Sequence, residues 1–277
     1  MAHSFLIVGG TGTVGSEIAR LLGQAGHSVR VTTRAPATSP DQARVDLSTG
    51  EGLDAAFAGV RRAFFLSPVG YPDQYPILAP LILRARQAGL EKVVLMTANG
   101  VEGNEAAPMR RAELDLERSG LAYNILRPTW FMQNFDTFWS RGIVEQGAIR
   151  LPAGRGKTAF VDARDIAAVA ASLLAEDRFR DQAFAVTGPR ALDHDEAARI
   201  LSAASGKRIV YRDIDPAEFR SDLLEAGFNE AYADLLVLSM GFLKEGFSAN
   251  VSDGVETVLG RPAGTLEAYA RDYKDAW

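Results

Sequence analysis

Seven residues near the start of the chain, Gly9-Gly10-Thr11-Gly12-Thr13-Val14-Gly15, constrain the fold more than any other feature. They follow the apolar run Phe5-Leu6-Ile7-Val8. They precede a helical pattern in which Val14, Ile18, Leu21 and Leu22 share one face up to Gly26. Gly9, Gly12 and Gly15 have G-x-x-G-x-x-G spacing. A strand that turns sharply into a helix through such a loop serves three needs. The chain reverses within a few residues, a pyrophosphate can approach the backbone, and the helix packs close to the strand. The helix start then offers free amides and a positive dipole end to phosphates.

The pattern continues as a βα alternation. Strands are expected at 28–33, 44–46, 62–67, 92–97 and 122–126, with helices over 53–57, 77–88 and 110–119 between them. Runs such as Ala63-Phe64-Phe65-Leu66 and Val93-Val94-Leu95-Met96 are apolar without alternation, which implies burial on both faces. The fold class is therefore α/β, a Rossmann-type doubly wound parallel sheet. The second half is less regular. It reads as an aromatic-rich helix over 131–144, short strands at 148–151 and 158–161, and a helix over 164–174. Further elements follow at 183–187 (strand), 193–204 (helix) and 208–212 (strand), and the pattern is helical from Pro216 onward. The expected division is an NADP-binding domain over 1–130, with contributions from about 155–187. A smaller, mainly helical substrate-side lobe over 131–277 is interleaved with it.

Composition closes off other classes. The chain has 277 residues, 47% hydrophobic and 23% charged, as an ordinary globular enzyme has. Its net charge is −5 and no basic block occurs, which argues against nucleic acid or an anionic membrane as partner. There is no cysteine, hence no disulfide, thiolate metal site or cysteine nucleophile. Met1-Ala2-His3-Ser4 carries no basic leader, and no stretch approaches the roughly 20 apolar residues of a spanning helix. The expected location is the cytoplasm.

Candidate cofactor residues follow from the strand ends, because ligands of open α/β sheets bind outside the carboxyl ends of the strands. Gly9, Thr11, Gly12, Thr13, Val14 and Gly15 form the phosphate loop. The second strand ends Thr32-Thr33-Arg34, where NAD-preferring enzymes place an acid for the ribose 2′-hydroxyl. With no acid there, the 2′-phosphate of NADP meets no repulsion. Arg34 beside Thr33 can pair with it, for roughly one to two decades of affinity; the alternative is a solvated loop arginine. Asp46 is read either as a partner of the adenine amino group or as a turn residue. Ser67, Thr97 and Pro128 close the fourth, fifth and sixth strands and are expected along the ribose and nicotinamide.

The missing residues matter as much. None of the seven tyrosines (71, 75, 123, 211, 232, 269 and 273) is followed four residues later by lysine. The proton-donating pair common in reductases of this architecture is therefore absent. The helix where it would lie carries Met109, Arg110 and Arg111. Three scattered histidines, His3, His27 and His194, give no metal cluster and no serine–histidine triad; His27 reads as structural. No metal and no catalytic side chain is assigned. Hydride transfer to an already electron-poor acceptor (a quinone, iminium ion or cationic dye) suits a site without a strong proton donor, with the protein supplying orientation and a dry pocket.

The pocket candidate is Trp130-Phe131-Met132-Gln133-Asn134-Phe135-Asp136-Thr137-Phe138-Trp139, directly after the sixth strand. Phe131, Phe135 and Phe138 have i, i+4, i+7 spacing, which a core stripe and a pocket wall share. Trp130 and Met132 lie off that stripe and are the candidates for touching a flat aromatic substrate. Phe131 and Asn134 complete the candidate set. Gln133 and Asn134 orient the substrate or bond backbone.

Three segments carry a family resemblance: the glycine loop, Leu126-Arg127-Pro128-Thr129-Trp130-Phe131-Met132-Gln133-Asn134-Phe135, and Phe160-Val161-Asp162-Ala163-Arg164-Asp165-Ile166-Ala167. Together they resemble the NmrA-like atypical short-chain dehydrogenases. Thr187-Gly188-Pro189 and the closing Ala276-Trp277 look like the branch of ergot-alkaloid agroclavine/festuclavine dehydrogenases and their bacterial relatives. The resemblance implies an NADP(H)-dependent reductase of iminium-like substrates. It has quinone and triphenylmethane reductases, and redox-sensing regulators, as more distant relatives. Met109 stands where several relatives carry lysine. Asp165, by resemblance, belongs to a structural hinge rather than to chemistry. Two functions follow: an NADPH-dependent oxidoreductase acting on a small aromatic or conjugated molecule, or an NADP(H)-binding sensor with little turnover.

Overall fold

The computed structural model describes residues 4–277; the leader reading and His3 fall on residues 1–3, outside the described residues. The chain divides into two compact units. One takes the chain up to Pro128 together with Arg164–Ala185 and Thr257–Gly260. The other takes Thr129–Ala163, Val186–Glu256 and Arg261–Trp277.

The first unit alternates β1 (Phe5–Ile7), α1 (Thr13–Gln24), β2 (Val29–Thr33), β3 (Gln42–Arg44), α2 (Leu53–Phe57), β4 (Arg62–Phe65), α3 (Tyr75–Gln87), β5 (Lys92–Met96), α4 (Pro108–Glu117) and β6 (Ala122–Pro128). After α5 (Ser140–Gln146) and β7 (Ala148–Leu151), which belong to the second unit, α6 (Ala163–Ala175) and β8 (Gln182–Val186) complete the sheet. The strand order is β3-β2-β1-β4-β5-β6-β8, and the pairs from β3 to β6 run parallel. This is the doubly wound Rossmann-type sheet that the alternation predicts. Leu6, Ile7, Phe64, Phe65, Val93, Val94 and Leu95 are all at 0% exposure, so each strand is covered on both faces. The order reverses between β1 and β4, the topological switch point where such sheets bind ligands. Basic side chains at the other end of the sheet dock the last turn of α6. Arg62 Nη1 donates to Leu174 O (2.7 Å), and the buried Lys92 Nζ donates to Glu176 O (2.7 Å), meeting carbonyls that a helix end leaves unpaired.

In the second unit, β7 pairs in parallel with β9 (Val210–Asp213). Around them lie α5, α7 (His194–Ser205), α8 (Pro216–Glu225), α9 (Glu230–Lys244) and, after α10 (Gly254–Leu259), α11 (Leu266–Asp272). Its core is unusually aromatic: Phe135, Trp139, Phe160, Tyr269 and Trp277 are all buried. α7 opens on a capping box, with Asp193 Oδ1 accepting from Glu196 N (2.8 Å) and Glu196 Oε2 accepting from Asp193 N (3.0 Å).

Three expected elements differ. The aromatic helix over 131–144 is two pieces: a 3-10 turn, Met132–Phe135, and α5 beginning only at Ser140. The i, i+4, i+7 spacing mimics a helix, but Phe131 is extended and forms an isolated bridge with Val161. Met132 N–H donates to Val161 O (2.8 Å), so the backbone is spent on a neighbour rather than on a helix. The third strand ends at Arg44, which leaves Asp46 beyond it. Residues 158–161 form only isolated bridges, Thr158 to Leu192 and Val161 to Phe131, not a ladder.

Candidate functional site

The glycine loop sits at the carboxyl end of β1. Gly9 has φ +73°, and its N–H donates to Thr32 Oγ1 (3.0 Å) at the end of β2. Gly12 N–H donates back to Gly9 O (3.0 Å), closing the turn. A Cβ on Gly15 would lie 2.3 Å from Gly9 O, and one on Gly10 would lie 2.4 Å from Val31 Cβ. Gly15 therefore lets α1 press against the loop, and Gly10 lets the loop press against β2. Gly12 differs: a Cβ there meets only Gly9 O, at 3.4 Å. It is exposed at the N-cap of α1, where no side chain caps the helix and no acid occupies the first turn. Thr11 and Thr13 are exposed beside it, while Val14 is buried as the helix's first core contact. This cradle, which a single methyl group would fill at Gly15, and these uncapped amides fit a bound pyrophosphate. Thr32 and Gly10 are the parts the glycine spacing alone does not reveal. Thr32 is visible only once β2 is seen beside β1.

Arg34 is exposed just past β2 and has no ion pair or hydrogen bond to another described residue. Thr33 is buried, its Oγ1 accepting from Ala35 N (3.1 Å) and its carbonyl from Val45 N (2.9 Å); it shapes the turn that presents Arg34. Asp46 is engaged in a turn of its own. Its Oδ1 accepts from Ser48 Oγ (2.6 Å), Ser48 N (2.8 Å) and Thr49 N (3.3 Å). The Ser48 hydroxyl, then its amide, hold the carboxyl below the ordinary carboxylate value. Asp46 thus closes a turn just beyond β3. Ser67 is half-buried after β4, its Oγ 3.4 Å from Pro68 O.

The ends of β5 and β6 are stitched together. Thr97 N–H donates to Leu126 O (2.9 Å) and Asn99 N–H to Pro128 O (3.0 Å). The Thr97 hydroxyl donates inward, to Glu113 Oε1 (2.6 Å). Glu113, on α4, is at 0% exposure and also accepts from Arg127 Nε (3.0 Å) and Nη2 (2.7 Å) and from Arg110 Nη1 (2.8 Å). Burial pushes its carboxyl upward, but the bonds from Arg127, Thr97 and Arg110 outweigh this and hold it below the ordinary value. Sequence reasoning missed Glu113, because one acid in a charged helix looks like part of a solvated face. The only hint is the Arg110 three residues before it.

The pocket candidates lie in the second unit. Trp130 is half-buried, its ring 5.9 Å from Trp139. Phe131 and Asn134 are half-buried, and Met132 is 1% exposed. Met132 and Phe160 floor a groove of about 340 Å³ bordered by Pro189, Leu192 and Leu266, with the Arg190–Glu267 pair (2.6 Å) at its edge. Gln133 bonds within the fold. Its buried amide donates to Asp162 Oδ1 (2.9 Å) and accepts from Ala163 N (2.9 Å), fixing the segment that leads into α6. Among the described residues no group of three or more His, Asp or Glu side chains is placed to hold a metal ion. No helix among them is long and apolar enough to cross a membrane.

Residues 9–177 match the model of a family described as NAD(P)H-binding. The chain belongs to the NAD(P)H-binding family. The fold matches that of NmrA, a negative transcriptional regulator solved with NADP, at a TM-score of 0.76 and 15% identity, over 99% of this chain and 96% of the other. The chain is 34% identical to an NAD(P)H azoreductase of Xenophilus azovorans, over 98% of both chains. It is 28% identical to an agroclavine dehydrogenase of Claviceps fusiformis, over 99% of this chain and 98% of the other. The fold is also that of the Citrobacter sp. triphenylmethane reductase solved with NADP(H), at a TM-score of 0.83. That match is 23% identical and covers 98% of this chain and 99% of the other. These relationships place the chain among the NAD(P)H-dependent oxidoreductases.

Proposed function

We propose that the protein prefers NADPH to NADH and reduces a small, electron-poor conjugated molecule of the quinone, iminium or cationic-dye type, without a tyrosine–lysine proton donor. The observation that carries the reading is the pairing of the glycine cradle with Arg34. The loop is shaped for a pyrophosphate, and an unpaired guanidinium stands at the end of β2 where an acid would select NAD.

NADPH, when bound, supplies the hydride. The protein's own groups do the rest. The amides at the start of α1 hold the two phosphates, and Arg34 the third. Ser67, Thr97 and Pro128 form the strand ends along the ribose and nicotinamide. Thr97 has no proton to give, since its hydroxyl is committed to Glu113. Met109, on α4, stands by resemblance where several relatives carry lysine, and it has no proton to give. A substrate that accepts hydride without simultaneous protonation is therefore favoured, with solvent supplying any later proton. Trp130, Phe131, Met132 and Asn134 supply flat apolar area and one amide for such a molecule. Relatives named for azo and triphenylmethane compounds support conjugated acceptors.

The test is NADPH oxidation followed at its near-ultraviolet absorbance with naphthoquinones, cyclic iminium ions and triphenylmethane dyes. Steady turnover with at least one class is expected. Tight NADPH binding with no turnover on any of them contradicts the enzyme and favours the sensor.

A further inference from the structure

The strand ends expected along the nicotinamide are held by a buried charge network that no motif announces. Glu113, at 0% exposure, is reached from three elements: its own helix through Arg110, the end of β5 through Thr97, and the end of β6 through Arg127. Arg110 is tied further to Glu117 (2.6 Å), and Arg127 lies 3.7 Å from Glu102 in the loop that follows β5.

A carboxylate is a costly way to staple a helix to a sheet, because an apolar side chain of similar volume does so without desolvating a charge. What the carboxylate adds is direction. It fixes the Thr97 hydroxyl inward and the Arg127 guanidinium in plane. Thr97 N–H itself bonds Leu126 O, the residue before Arg127, and the bond from Asn99 N–H to Pro128 O lies two residues beyond Thr97 and one beyond Arg127. All four groups converge at the carboxyl ends of two adjacent strands, the edge where ligands of such sheets bind, and not along the middle of the strands.

We infer that Glu113 is a positioning residue: acting through Thr97 and Arg127, it sets the register of the β5 and β6 ends against the nicotinamide half of the cofactor. The inference rests on the NADPH reading above. The hydrogen bonds and ion pairs of this network do not reach the phosphate half of the site, on the glycine loop and Arg34. The two halves are therefore separable by experiment.

Glu113→Gln removes the negative charge. Thr97→Val removes only the hydroxyl link and leaves the Glu113–arginine bonds in place. If Glu113→Gln does not fold, Thr97→Val decides alone. Each is measured, well below its melting temperature, for NADPH affinity by calorimetry, for the fluorescence of bound NADPH, and for kcat with a naphthoquinone. The phosphate anchors should keep the Kd within about threefold. The emission of the bound nicotinamide should move toward that of free NADPH, and kcat should fall about tenfold or more, since a small misplacement of the reacting atoms is costly. Unchanged emission and kcat, even with a lowered melting temperature, would show a structural staple only and overturn the inference. So would a loss of affinity equal to the loss of rate. A wild-type protein that binds no NADPH overturns this inference and the proposed function together.

Discussion

Gly15 lies so close to Gly9 that a Cβ on Gly15 would stand 2.3 Å from the Gly9 carbonyl oxygen. That distance is inside any van der Waals contact, so the start of α1 and the loop exist in this form only because Gly15 has no side chain. Gly12, three residues earlier, has room: a methyl group there would meet the same oxygen at 3.4 Å. The two glycines therefore differ: the fold needs the absent side chain at Gly15 and leaves room for one at Gly12.

That difference predicts two outcomes. Gly15→Ala should destabilise the protein by roughly 1–3 kcal/mol, as forced overpacking does, and should weaken NADPH binding with it. Gly12→Ala should leave stability within about 1 kcal/mol but lower NADPH affinity about tenfold or more, because its methyl group stands where the pyrophosphate approaches. Thermal melts paired with calorimetry on both variants check this. Equal effects of the two on stability would contradict it.

His194 predicts a pH dependence. It is fully buried, with both ring nitrogens unpartnered. Its ring stacks on Tyr211 (5.2 Å between centroids) and meets Phe160 (5.5 Å) and Trp139 (5.9 Å) edge-on. Burial pushes its pKa down from 6.5 to about 4, against the smaller pull of Asp193 and Asp213. The unfolded chain takes up a proton near pH 6.5 that the folded chain refuses until about pH 4. Stability from this group is thus full above pH 6.5 and is lost as pH falls toward 4, by roughly 3 kcal/mol in all. Between pH 7 and 4, the unfolding free energy from denaturant melts should fall by roughly 3 kcal/mol more in the wild type than in His194→Phe. An equal fall in both would contradict it.

Gln133 predicts a structural loss away from the cofactor loop. Gln133→Leu leaves the Ala163 N–H without its acceptor and takes one donor from Asp162. A cost of roughly 1–3 kcal/mol is expected for the buried group left unsatisfied. NADPH affinity should stay within about threefold of wild type, as measured by calorimetry. An unchanged denaturation midpoint would show that the clamp is dispensable.

Local rules made the first unit legible. Apolar runs without alternation marked β1, β4 and β5. The glycine spacing marked the turn into α1, and the lack of an acid at 32–34 singled out Arg34. What stayed hidden depends on partners distant in sequence. The bond from Gly9 to Thr32 spans 23 residues, and that from Arg127 to Glu113 spans 14. Neither leaves a periodic trace. The stretch after Thr129 misled for the same reason. Phe131, Phe135 and Phe138 carry helical spacing, but Met132 N–H and the Gln133 side chain are taken by Val161, Asp162 and Ala163, some thirty residues on. Tertiary hydrogen bonds won over local periodicity there.

On the proposed function, the glycine cradle holds the two phosphates of a nicotinamide dinucleotide and Arg34 holds a third. Calorimetric titration of the wild type and Arg34→Ala with NADPH and with NADH tests it most directly. The wild type should bind NADPH at least about tenfold more tightly than NADH, and Arg34→Ala should lose that margin while its NADH affinity is nearly unchanged. Equal affinity of the wild type for both coenzymes, or no heat with either, would contradict it.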